Sequence, residues 1–145
     1  MTRLSKTCWI VVADEDKALL LDNRGTGLAP VLHLLKRIDT ADLLAQSDRS
    51  ARDRDHSQQT TEPADYHRMA GQALATAVAG HLEQARAEHG FEQLVLIAPP
   101  QVLGALRQAL PESLRDEVLA EMPKTLTGHP LPHIAELLAE ALANT

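Results

Sequence analysis

Asp14 ends the apolar run Cys8 to Ala13 and begins the acidic cluster Asp14, Glu15, Asp16. A carboxylate at a strand end can hold a divalent metal when other acids converge on it. The partners on offer are Glu83 or Glu88 on a helical stretch, with His56 as a base. That set would make a metal-assisted hydrolase acting on a nucleotide or RNA, the alternative function for this chain. A further acid would be needed at the end of the strand around Leu94 to Ile97, but that strand runs into Ala98, Pro99 and Pro100 and brings none. The metal set is incomplete, and Asp14 reads more simply as a turn residue.

Other reactive side chains are equally isolated. His129 and His133 are four apart, yet the nearby prolines Pro130 and Pro132 argue against one helix carrying both. His67 and His81 lie two heptads apart, too far to share an ion. Ser5, Ser47, Ser57 and Ser113 have no recognisable base and orienter, and no GxSxG motif occurs. Gly25 and Gly27 form GxG without the third glycine or following helix of a phosphate loop, which fits a hairpin turn. The lone Cys8 excludes an internal disulfide and sits in an apolar run. No catalytic residue, metal or cofactor is assigned. The binding candidates are Arg49, Arg52, Arg54 and His56 in a polar stretch, Pro99 and Pro100 at a strand end, and Arg107 on the helix that follows.

Composition narrows the partners. Twenty acidic against fourteen basic residues give a formal charge of -6, which repels phosphate at long range and excludes non-specific DNA binding. Trp9, Tyr66 and Phe91 are the only aromatics, too few and too scattered for a multi-base stacking platform. No stretch has the length of a membrane span, and the amino end lacks the apolar run and cleavage site of a secretory signal. The expected place is the cytoplasm.

The elements that position these residues follow from patterning. The 145 residues fit one domain. Cys8 to Ala13, Lys17 to Asp22 and Leu28 to Ile38 read as an antiparallel meander with turns at Asp14–Asp16 and Asn23–Gly27. The apolar signal fades after Leu44, and a long polar loop is expected at about 45–65. Tyr66 to His89 reads as the longest helix, with Asp65 as N-cap and Gly90 just past its end. Gln93 to Ile97, Pro100 to Leu110, Asp116 to Met122 and Pro132 to Ala143 follow as strand, helix, strand and helix, with a short turn around Glu112 to Arg115. Gly104 inside the second helix implies close packing there. Three meander strands followed by α-β-α-β-α is the element order of the ribonuclease H-like fold, an α/β class with a mixed five-stranded sheet.

Three segments together carry a family resemblance: WIVVADEDKALLL from Trp9, the Arg-rich polar stretch, and LVLIAPPQVLGALR from Leu94. Their most specific parts are APPxxLGxLR at Ala98 to Arg107 and WxxxADxxxA at Trp9 to Ala18. The chain resembles the bacterial host attachment protein family, whose members often carry Lys-Asp-Leu-Thr after the fifth strand, where this chain has Lys124, Thr125, Leu126 and Thr127. That family is similar to the middle domain of archaeo-eukaryotic peptide-chain release factors, which places a Gly-Gly-Gln loop before its first long helix. Here Gln58 and Gln59 have no adjacent glycines, so the resemblance does not extend to peptidyl-tRNA hydrolysis. It implies a non-catalytic binding or regulatory module that engages the ribosome, tRNA or a protein partner. The stretch Asp48 to His56 and the end of the fourth strand would form its recognition edge. A homo-oligomer packed through the long helix or Gly104 is a further expectation.

Overall fold

The computed structural model describes residues 7–26, 29–51, 63–88 and 90–143, with only the helical backbone described for 46–51 and 63–67. Its elements are β1 (Cys8–Ala13), β2 (Lys17–Asn23), β3 (Leu32–Asp39), α1 (Thr40–Ala51), α2 (Pro63–Ala87), β4 (Gln93–Ile97), α3 (Pro100–Ala109), α4 (Glu112–Arg115), β5 (Val118–Met122) and α5 (Leu131–Ala143). The sheet order is β3-β2-β1-β4-β5. β1 pairs antiparallel with β2 and β2 with β3, whereas β4 runs parallel to both β1 and β5. This is the expected ribonuclease H-like α/β architecture.

The continuous apolar runs in β1 and β4 exist because both strands are central and covered on both faces. Val11, Ala13, Leu94 and Leu96 enter one core with Leu74, Val78 and Leu82 of α2 and Val102, Leu103 and Leu106 of α3. Ile10, Val12, Val95 and Ile97 enter a second core with Met122, Leu126 and Ile134, Ala135 and Leu138 of α5. The alternation along each strand sends successive residues to opposite layers. Both strands therefore read as uniformly apolar.

Several boundaries differ from the sequence reading. β3 begins at Leu32 rather than Leu28, because Asn23 ties the preceding residues into the hairpin loop: its Oδ1 accepts the N–H of Gly25 at 2.8 Å and of Val31 at 3.0 Å. Only glycine fits at position 25, since a Cβ there would lie 2.2 Å from the Ala29 carbonyl oxygen. The polar stretch is not all loop. Residues 40–51 form α1, anchored at its start by Thr40, whose N–H donates to Asp16 O at 2.8 Å and whose hydroxyl donates to Glu15 O at 2.7 Å. Only its first turns carry apolar residues, with Leu43 packed on the core, so the helical period is missing from the remainder.

α2 starts at Pro63, which places Asp65 inside the first turn rather than at the cap; proline is well accommodated there because its missing N–H has no intrahelical partner. The helix stops at Ala87, and Gly90 closes it by donating its N–H to Ala85 O at 2.7 Å. The expected turn at Glu112 to Arg115 is a turn of helix, so β5 begins at Val118 rather than Asp116. Gly104 also departs from expectation: a Cβ added there meets nothing within 4 Å, so close packing within this chain does not explain it.

Candidate functional site

In open α/β sheets ligands collect beyond the carboxyl ends of the strands, where loops diverge. Here that end is formed by the β1–β2 turn, the β4–α3 junction and the segment leaving β5. Asp14 sits at its centre. Its Oδ1 accepts the backbone N–H of Asp16 at 2.7 Å and of Lys17 at 2.9 Å, and its Oδ2 accepts the hydroxyl of Thr127. Burial alone would raise the pKa of this carboxyl. The Thr127, Lys17 and Asp16 bonds and the Lys17 charge outweigh it and hold the group below its ordinary 3.8. Asp14 is therefore an ionised carboxylate with both oxygens engaged, suited to fastening a turn and poorly suited to exchanging protons.

The neighbouring strand end has no chemistry to add. Ala98 is fully buried and donates its N–H to Met122 O at 3.1 Å. Pro99 occupies the N-cap of α3 with φ -60° and ψ 157°, without a capping side chain, and Pro100 is the first helical residue. The extended backbone demanded by a following proline and the helix-ready φ of Pro100 explain the abrupt strand-to-helix change. The segment after β5 places Leu126 in the second core and Thr127 against Asp14. Thr127 is a contact of Asp14 that spacing does not give, although the Lys124–Thr127 segment belongs to the family resemblance.

The carboxylates considered as metal partners lie elsewhere. Glu88 lines a groove with Trp9, five residues before Asp14 on β1, a separation of about 16 Å along the strand. Glu83 lines another groove of about 400 Å³ with Arg86, Pro111, Ser113 and Leu114. Arg86 is itself paired with Glu117 at 3.0 Å. Among the described residues, no three His, Cys, Asp or Glu side chains come together as a metal site. His56 lies outside the described residues. His129 and His133 do meet, their rings stacked with centroids 4.9 Å apart, but His129 precedes α5 and His133 lies within it, as the prolines implied.

Residues 7–138 match the family described as bacterial archaeo-eukaryotic release factor family 12. The chain belongs to that family. The match carries the release-factor half of the resemblance and not the host-attachment name. Among solved structures, the family 12 chain is similar to an archaeal translation termination factor, aRF1, at 12% identity and TM-score 0.46, with 95% of this chain and 37% of that chain covered. It is also similar to a second archaeal protein at 9% identity and TM-score 0.49, covering 95% and 36%. The chain thus spans little more than a third of either protein. Comparison with curated proteins gives no match.

Within this family 12 chain the binding candidates are spread out. Pro99 and Pro100 stand beyond the carboxyl end of β4, where α3 begins. Arg107 lies seven residues after Pro100, about 10 Å along α3, where its Nε donates to Glu121 of β5 at 2.8 Å. The charge on Arg107 is neutralised by that pair, and the bond raises its pKa further. Arg49 belongs to α1, while Arg52, Arg54 and His56 lie outside the described residues. Among the described residues, no helix is long and apolar enough to cross a membrane.

Proposed function

We propose that this family 12 chain is a non-catalytic binding or regulatory module of translation, acting in the cytoplasm on a ribosome or tRNA surface or on a protein bound there. Membership of a release-factor family supports the translational setting. One observation carries the non-catalytic part: the carboxylate at the end of β1 has both oxygens hydrogen-bonded within the protein, beside a strand end made of Ala98, Pro99 and Pro100. A hydrolase would need that carboxylate free to hold a metal or move a proton.

The formal charge of -6 opposes long-range attraction to RNA, so engagement rests on a local basic patch. Arg49, Arg52 and Arg54 supply it in this reading, with Pro99 and Pro100 as an apolar edge. An attachment role is in this reading indirect and follows from regulation of translation.

Sedimentation of the purified chain with ribosomes, alongside gel retardation with tRNA, tests the reading. Association at low salt, weakened by high salt and by the combined change of Arg49, Arg52 and Arg54 to Ala, is the expected result. Failure to associate with ribosomes, tRNA or a ribosome-bound protein overturns the binding role. Release of peptide from peptidyl-tRNA by the chain alone overturns the non-catalytic one.

A further inference from the structure

On the α2 face of the sheet, toward the amino end of β1, lies an open groove of about 230 Å³ lined by Trp9, Leu20, Leu35, Lys36, His81, Gln84, Ala85 and Glu88. Its parts are ordered along α2. His81 stands at one end and Glu88, just past the helix end and seven residues later, at the other, about 10 Å along the helix direction, with Gln84 between them. Lys36, on the edge strand β3, stands toward the His81 end, since its charge acts on that imidazole. The floor between the charged ends is apolar, formed by Leu20, Leu35, Ala85 and the ring of Trp9. Phe91 supports that ring from one side, with centroids 5.0 Å apart and planes tilted by 37°.

The groove has unspent polar capacity. Neither Lys36 nor His81 takes part in the ion pairs found among the described residues. They stand close enough that the Lys36 charge, added to burial, lowers the His81 pKa. A lysine ammonium beside an imidazole whose ring N–H can donate, neither of them ion-paired to an acid among the described residues, favours an anion that touches both. Asp22 continues the same sheet face beside Trp9, its register partner on β1. Its Oδ1 is the one buried side-chain oxygen, among the described residues, that lacks a hydrogen-bond partner.

We propose that this groove binds one nucleoside 5′-monophosphate unit. The phosphate sits between Lys36 and His81, the base lies on the apolar floor beside Trp9, and Gln84 and Glu88 accept hydrogen bonds from its N–H edge. A lysine–imidazole pair, an apolar shelf and hydrogen-bond acceptors follow one another in the order that such a ligand presents its anion, sugar and base. A single stacking ring suffices for one base, so the scarcity of aromatics that excludes an extended platform does not exclude this site. The unit can come from a free nucleotide or from a strand of RNA, and the ribosome reading is not required for either.

Trp9 is the only tryptophan, so its emission reports on the groove directly. The full chain is titrated with adenosine, uridine, guanosine and cytidine 5′-monophosphates, with adenosine, with inorganic phosphate and with single-stranded RNA. Saturable quenching by at least one mononucleotide, weakened about tenfold by Lys36→Glu and by a smaller factor by His81→Ala, is the expected result. Competition by inorganic phosphate assigns the anion end. Tighter binding of RNA than of its mononucleotides identifies RNA as the source, and the reverse order identifies the free nucleotide. Lys36 is exposed, so an unchanged melting temperature shows that Lys36→Glu is folded. Absence of saturable quenching by every probe, or equal affinity in the wild type and Lys36→Glu, overturns the proposal whatever the ribosome experiment gives.

Discussion

The two ends of β1 treat their polar groups in opposite ways. At the carboxyl end, the Asp14 oxygens accept from Asp16, Lys17 and Thr127, and Thr40 fastens the same turn through Glu15 and Asp16. At the amino end, Lys36 and His81 have no acidic partner among the described residues and Asp22 keeps a buried oxygen unbonded. Folds of this class ordinarily keep reactive capacity at the carboxyl ends of the strands. This chain spends it there on structure and leaves it open at the other end. The contrast teaches that the position of a site in a fold cannot be transferred without asking which hydrogen bonds are already made.

Removing the central acceptor of the closed end is the strongest way to break that contrast. Asp14→Ala deletes three accepted hydrogen bonds, two of them from backbone donors that must then find water, and is expected to cost about 2 to 3 kcal/mol in urea unfolding. The pH dependence carries a matching sign. The folded-state pKa of Asp14 lies below 3.8, so its stabilisation is fully present above that value and is lost as pH falls through the lowered folded value. Asp14→Ala should therefore flatten the acid limb of the stability curve. A variant as stable as the parent, with the acid limb unchanged, would show that the closed end is not held by this carboxylate.

A smaller effect is expected at Gly104, in the same motif as the closed strand end. A Cβ at this position meets nothing within 4 Å, and the residue lies inside α3, so Gly104→Ala should stabilise the chain by about 0.5 to 1 kcal/mol. Thermal unfolding measures it. Stabilisation combined with weaker ribosome association or a smaller sedimentation mass would place a partner at this helix, since the chain's own packing does not need the glycine. Destabilisation would mean that the helix approaches something more closely than the structure shows, and would extend the closed region along α3.

The legible and illegible parts divide along the same line. β1 and β4 were readable because strands covered on both faces must be apolar throughout, and the β4–α3 junction because two prolines leave few alternatives. The turn role of Asp14 was readable from its acidic neighbours, but Thr127 lies 113 residues away and its arrival depends on how α5 packs. The groove was invisible for a related reason. β3 shifts register between the partners of Leu20 and Leu21, so Leu20 pairs with Lys36 while Leu21 pairs with Leu34. This bulge lets the adjacent residues Leu35 and Lys36 both line the groove, which strict alternation forbids. α1 escaped notice because a helix that packs through one turn leaves no period in its remaining residues.

The smallest expected effect is also the most direct measure of the open end. His81 has its pKa lowered from 6.5 first by burial and then by the charge of Lys36. Lys36→Met removes the second cause and leaves the first, so the His81 pKa should rise while remaining below 6.5, as followed by its ring proton resonances. The linked stability change has a defined sign. Above 6.5 both folded and unfolded chains hold this histidine neutral and it contributes nothing. As pH falls below 6.5 the unfolded chain takes the proton first, so stability declines until the folded group is also protonated. Lys36→Met narrows that window and lessens the loss at acid pH. An anion seated between the two side chains acts in the same direction on His81 in the parent chain, because it favours the charged imidazole. If the His81 resonances titrate identically in the parent and in Lys36→Met, the two side chains are not neighbours and the open end loses the feature that distinguishes it.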